Sequence, residues 1–149
     1  MSANLHYINL YRTMILQIRR SVIRGGIVVN AKPIFILAII ESIRKGFLCP
    51  NEFPYSEPLF KVYKETWTKF YPNIPPTPIC KPFYHLTHDG FWSIKWKNAI
   101  SVTSSSDKIL RENAEYGFLD NALWDLLQDE KVRQYYEEQI ELYFLSVTK

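Results

Sequence analysis

Lys32-Pro33-Ile34-Phe35-Ile36-Leu37-Ala38-Ile39-Ile40-Glu41-Ser42-Ile43-Arg44-Lys45-Gly46 is the stretch on which the reading of the fold turns. Its β-branched content would suit a strand. Its length, a proline close to the first helical position, basic residues in the last turn and a closing glycine instead predict a helix. The run is apolar on almost every side, so the helix must be buried. Upstream, Ile8, Tyr11, Ile15, Ile18 and Val22 recur at spacings of three and four, which predicts an amphipathic helix over Leu5 to Val22. Gly25-Gly26 then stops it. Downstream, a loop rich in proline and aromatics (Phe47 to Tyr55) leads to Ser56-Glu57-Pro58. That triplet opens a third helix carrying Leu59, Tyr63, Trp67 and Phe70 on one face.

Tyr71 to Lys81 contains four prolines and reads as an extended connector. Phe83-Tyr84-His85-Leu86, Thr87-His88-Asp89-Gly90 and Phe91-Trp92-Ser93-Ile94-Lys95-Trp96 together predict a β-hairpin turning at the Asp-Gly step. Residues 97–106 read as a surface loop. Asp107 then caps a short helix through Asn113, and another begins at Leu119-Asp120. Val132, Tyr136, Ile140, Tyr143, Phe144 and Val147 stripe a last helix. The expected fold is mainly α, with about six helices around one aromatic core and a small hairpin. It is winged-helix-like only by analogy. The expected organisation is a single domain over residues 1–149, a length suited to one core.

The chain is 47% hydrophobic and 15% aromatic, enough for a packed core and too much for a disordered chain. Its longest uncharged apolar run, Pro33 to Ile40, is too short to span a bilayer, so no membrane role is expected. Cys49 and Cys80 lie in Pro-flanked segments without metal-binding spacing. Reduced thiols in a cytoplasm are the expectation, with a single bridge as the alternative. The net charge is only +3, but the segments 1–50, 51–100 and 101–149 carry +6, +2 and −5. Such polarity directs a polyanion toward Arg19, Arg20, Arg24 and Lys32, away from the acidic last helix.

Nothing in the chain spells a catalytic centre. It has three histidines, His6, His85 and His88, fewer than zinc or nuclease chemistry based on histidine requires. On a strand, His85 and His88 would point apart. No Cys-x-x-Cys, His-Glu-x-x-His, nucleophile elbow or Walker-type loop is present. The expectation is a chain without catalytic residues, metal or cofactor.

Several motifs occur in a fixed order. Asn30-Ala31-Lys32-Pro33 precedes the aliphatic helix. Lys81-Pro82-Phe83-Tyr84-His85-Leu86, Asp89-Gly90-Phe91-Trp92, Phe118 to Leu127 and the ending Leu142-Tyr143-Phe144 follow. From about residue 5 to 145 the set resembles the DNA sulfur-binding domain family, which recognises phosphorothioate-modified DNA. Those domains sit beside HNH endonuclease domains in bacterial restriction enzymes of the McrA type. The resemblance implies double-stranded, phosphorothioate-modified DNA as partner, an HNH nuclease domain or subunit alongside, and a role in restriction and host defence. It also implies a pocket built from Ala31, Lys32, Lys81, Pro82 and His85. The best-known members of the family it resembles carry histidine at the position of Ala31 and an aromatic at that of Lys81.

The chemistry suits those residue types. A phosphorothioate keeps its negative charge but presents a sulfur that is larger, softer and a poorer hydrogen-bond acceptor than oxygen. Ala31, Pro82 and the face of Tyr84 or His85 are candidates for an apolar wall. Lys32 and Lys81 are candidates for the cations, and Arg19, Arg20 and Arg24 for contacts to the DNA backbone. The expected function is a cytoplasmic module that binds phosphorothioate DNA and targets a nuclease. The alternatives are a protein-interaction module of a defence system, or a nuclease whose metal is held by carboxylates alone.

Overall fold

The computed structural model describes residues 2–20, 30–46, 50–98 and 103–145. Val22, Arg24, Gly25, Gly26, Cys49 and Val147 lie outside them. Among the described residues, seven helices enclose one core, with a two-stranded sheet on its flank: α1 (Ser2–Leu16), α2 (Ala31–Lys45), α3 (Glu57–Phe70), α4 (Cys80–His85), β1 (Trp92–Trp96), α5 (Asp107–Asn113), β2 (Ala114–Leu119), α6 (Asn121–Leu126) and α7 (Glu130–Ile140). A 3-10 turn, Leu86–Asp89, extends α4, and a π turn, Glu141–Leu145, extends α7. None of the described helices is long and apolar enough to cross a membrane.

The central element is α2. Pro33 sits in its first turn, where the backbone N–H groups lack helical partners anyway. Gly46 ends it with φ 75°, donating its N–H to the carbonyls of Ser42 and Ile43. Between these ends, Ile34, Phe35 and Ala38 are wholly buried, and Ile39 and Ile40 nearly so. Against Phe35 stands an aromatic cage: Trp92 edge-on at 5.3 Å, Phe83 at 6.0 Å and Tyr63 at 6.3 Å between ring centroids. The Trp92 indole Nε1 donates to the Phe83 carbonyl at 2.8 Å, so the core is tied to the last turn of α4. Arg44 fastens the other end of α2 to α7, with its guanidinium on both carboxylate oxygens of Glu137 at 2.8 and 2.9 Å.

The mainly α fold and its small antiparallel sheet agree with the sequence reading, but the sheet is not the expected hairpin. Phe83 to Leu86 does not form a strand. Cys80, Phe83 and Leu86 are buried at a spacing of three, the period of a helix, and Thr87 Oγ1 donates back to the Tyr84 carbonyl at 2.7 Å. Gly90 adopts the positive φ (97°) that the Asp-Gly step announced, yet it stops a helical segment instead of joining two strands. The partner of β1 is β2, paired antiparallel from Trp92 opposite Leu119 to Lys95 opposite Tyr116, with an irregularity at Trp96. Phe53 adds an isolated bridge to Gly117.

Other boundaries move less. The first helix ends at Leu16, short of the expected Val22. Its last turn tightens as Gln17 N–H bonds to both Thr13 and Met14, and the Arg19 N–H leaves the helix for the Asp89 carboxylate at 3.0 Å. Tyr11, Ile15 and Ile18 are buried as the periodicity predicts. Ser106, not Asp107, caps α5, accepting from the Ile109 N–H. Cys80 opens α4 as a buried free thiol instead of lying in a loop, and burial pushes its pKa up.

Candidate nucleic-acid interface

Five segments contribute to one region: the end of α1, the start of α2, α4, its 3-10 extension and residues 103–106. Lys81 is exposed on the first turn of α4, and its Nζ donates to Ser105 Oγ at 3.0 Å. Tyr84 and His85 are half-buried, and His88 is exposed one turn further along. The three rings form a cluster: Tyr84 to His85 5.1 Å, Tyr84 to His88 5.7 Å, His85 to His88 5.7 Å. The helical path from residue 80 to 89 therefore brings together two imidazoles that a strand would have separated.

His85 titrates below its ordinary 6.5, because burial, then the neighbouring His88, Lys32 and Lys81, all disfavour its cation. That one group feels both lysines places them, with the imidazoles, around a shared positive region.

Lys32 is not a free cation. Its Nζ lies 2.6 Å from Asp89 Oδ2, and the two side chains are 13% and 4% exposed. Ala31 and Pro82 are both buried, so they form the floor of the region and offer little open surface. Among the residues proposed for the apolar wall, the half-buried faces of Tyr84 and His85 are the ones left open.

The arginines divide. Arg19 is exposed beside this region. Arg20 is engaged elsewhere: its Nη1 donates to Asn30 Oδ1 at 2.7 Å, and its guanidinium lies 4.6 Å from the centroid of the Phe144 ring. Arg24 is outside the described residues. Sequence reading missed three participants. In the sequence Asp89 looks like turn chemistry and a strand would turn His88 away, whereas the helical path over residues 80–89 brings both into the site. Ser105 carries no signal beyond a serine run.

Among the described residues, no group of three or more His, Cys, Asp or Glu side chains is arranged to hold a metal ion. A groove of about 870 Å³ runs along the first half of α3 between Pro54, Phe60 and Lys64, and shares no residue with the basic region.

No family profile matches the sequence, and no curated protein matches it either. Solved structures do. The fold matches the "Sulfur binding domain of ScoMcrA complexed with phosphorothioated DNA" with a TM-score of 0.70 over 93% of this chain and 89% of that one, at 14% identity. It also matches the "Sulfur binding domain and SRA domain of ScoMcrA complexed with phosphorothioated DNA" with a TM-score of 0.70 over 93% of this chain, at 15% identity. Only 44% of that second, two-domain chain is covered. The fold of this chain is thus that of the sulfur-binding domain in those two structures.

Proposed function

We propose that this chain, as a single domain, recognises duplex DNA carrying phosphorothioate linkages and directs a restriction nuclease to it. The observation that carries the proposal is the structural match over 93% of the chain to a domain solved with phosphorothioated DNA. The basic, imidazole-rich region formed by α4 and the start of α2 is the surface assigned to DNA.

In this reading Lys81 and Arg19 meet phosphates, and Ser105 supports Lys81. Tyr84 and His85 present the apolar face to sulfur above a floor of Ala31 and Pro82. Lys32, paired with Asp89, and Arg20, held by Asn30 and Phe144, are assigned no phosphate contact in this reading, and Arg24 remains a candidate for one. Covering a few tens of Å² contributes about 1 kcal/mol at roughly 25 cal/mol per Å². The sulfur contact therefore sets preference, while the phosphate contacts supply most of the affinity. The chain holds no catalytic centre in this reading; the cutting is done by an HNH domain or subunit, and the setting is a bacterial cytoplasm.

The test is a gel shift with paired duplexes that differ by one sulfur atom, at fixed salt. Tighter binding of the sulfur-containing duplex is expected. Equal binding would reduce the chain to a general DNA-binding domain, and no binding to either duplex would overturn the proposal. A plasmid-nicking assay with magnesium or manganese, expected to be negative, tests the rival nuclease reading.

A further inference from the structure

Asp89 ends the 3-10 turn with its carboxylate beneath the basic region, and it is shared by two donors. Its Oδ2 takes Lys32 Nζ at 2.6 Å, and its Oδ1 takes the Arg19 backbone N–H at 3.0 Å. The carboxylate thereby joins the end of α1 to the start of α2. With the side chains only 13% and 4% exposed, neither charge of the pair is well solvated, and each is compensated chiefly by the other.

We propose that Asp89 is an affinity-limiting residue: it neutralises Lys32 and withholds it from the DNA backbone. This rests on the DNA-binding reading above. A lysine that neutralises a phosphate releases counterions, so the logarithm of the binding constant falls by about 0.9 for each decade of added salt. At 0.1 M salt, one such contact is worth about eightfold relative to 1 M. Held against Asp89, Lys32 makes no such contribution, and a phosphate that approached it would also meet the carboxylate. The restraint acts equally on ordinary and sulfur-containing linkages, because both are monoanions. Asp89 therefore lowers affinity for all duplexes without altering the preference between them. Its effect is to keep the domain exchangeable on unmodified DNA.

The experiment measures binding of the paired duplexes across a salt series for three proteins: the wild type, Asp89→Asn, and the double variant Lys32→Gln with Asp89→Asn. Asparagine still accepts from the Arg19 N–H but frees the ammonium. Asp89→Asn is expected to bind both duplexes about eightfold more tightly at 0.1 M salt, with the salt slope steeper by about one and the sulfur preference unchanged. The double variant replaces a neutral ion pair by a neutral amide pair, and it is expected to match the wild type in affinity and slope. It also keeps the proposal testable if Asp89→Asn does not fold.

Weaker binding by folded Asp89→Asn would overturn the proposal by making Asp89 a positioning residue. A double variant with weaker binding and a shallower slope would overturn it by showing that Lys32 holds a phosphate in the wild type. A changed sulfur preference would likewise refute it. If the wild type binds no duplex at all, the DNA-binding reading fails first, and the two failures are distinguished on the same gel.

Discussion

Gly117→Ala makes the most direct test of how the core is tied to the candidate site. Gly117 lies in β2 opposite Ile94 and exchanges backbone hydrogen bonds with Phe53 at 2.8 and 2.9 Å. A Cβ there would come within 2.9 Å of Trp92 Cε2, and closer still to Cη2 and Cζ2. The indole has little room to retreat, being 2% exposed and packed against Phe35, Phe53 and Phe83. Overpacking of this kind costs about 1–3 kcal/mol. If the ring shifts, its bond to the Phe83 carbonyl is strained or lost, at about 1–3 kcal/mol for a buried polar group left unpaired. A total of about 2–6 kcal/mol is a large part of the roughly 5–15 kcal/mol that holds a domain together. It corresponds to a fall in Tm of about 10 °C for a chain of this size. Thermal and urea melts of the wild type, Gly117→Ala, Trp92→Phe and the double variant would measure it. Phenylalanine lacks the colliding benzo-ring atoms, so the double variant should lose less than the sum of the two singles. A Gly117→Ala melt within about 2 °C of the wild type, or strictly additive losses, would show that Trp92 is not locked in place.

Two further outcomes follow from the basic region. Lys81→Ala should weaken binding of both duplexes by about eightfold at 0.1 M salt and flatten the salt slope by about one, as fluorescence anisotropy across a salt series would record. His85 is held neutral at neutral pH by burial, His88, Lys32 and Lys81. Its contribution to stability is therefore full above its ordinary 6.5 and is lost as pH falls through the lower folded value. A bound phosphate opposes that shift, so binding should take up protons. Affinity is expected to rise as pH falls from about 7.5 to about 5.5, by at most about tenfold per unit for one proton, and His85→Gln should remove that rise.

The elements legible in the sequence are those whose signals are local. Pro33 and Gly46 bracket α2, and Ser56-Glu57-Pro58 opens α3, because caps and fixed dihedrals act within one turn of chain. The segment from residue 80 to 90 departs from its sequence expectation for a different reason. Four residues such as Phe83-Tyr84-His85-Leu86 fit both a strand and a helical turn, and burial of Phe83 and Leu86 in one core decides between them. The Asp-Gly step correctly required a positive φ at Gly90, but a dihedral requirement does not say whether a hairpin or a helix end will use it. Where α1 ends was equally invisible, because its Arg19 N–H is taken by a carboxylate 70 residues away.

The candidate site divides along the same line. Its segments were legible, since the residues around Ala31 and those from Lys81 to His85 do come together. The roles were not, because counting charges along a chain treats every cation alike. Three of the basic residues behind the +6 of the first fifty are engaged by distant groups: Lys32 by Asp89, Arg44 by Glu130 and Glu137, and Arg20 by Asn30 and Phe144. Of these, only Arg44 is spent on the acidic last third, holding α2 against α7, while Lys32 is spent on Asp89 in the middle of the chain. Among the described residues of the candidate site, the cations left for a polyanion are Arg19 and Lys81, beside His88 and beside His85, which burial and its neighbours hold neutral. A net charge read from sequence bounds such a field from above; which cations remain available is decided by buried carboxylates such as Asp89, and those become visible only once the chain is folded.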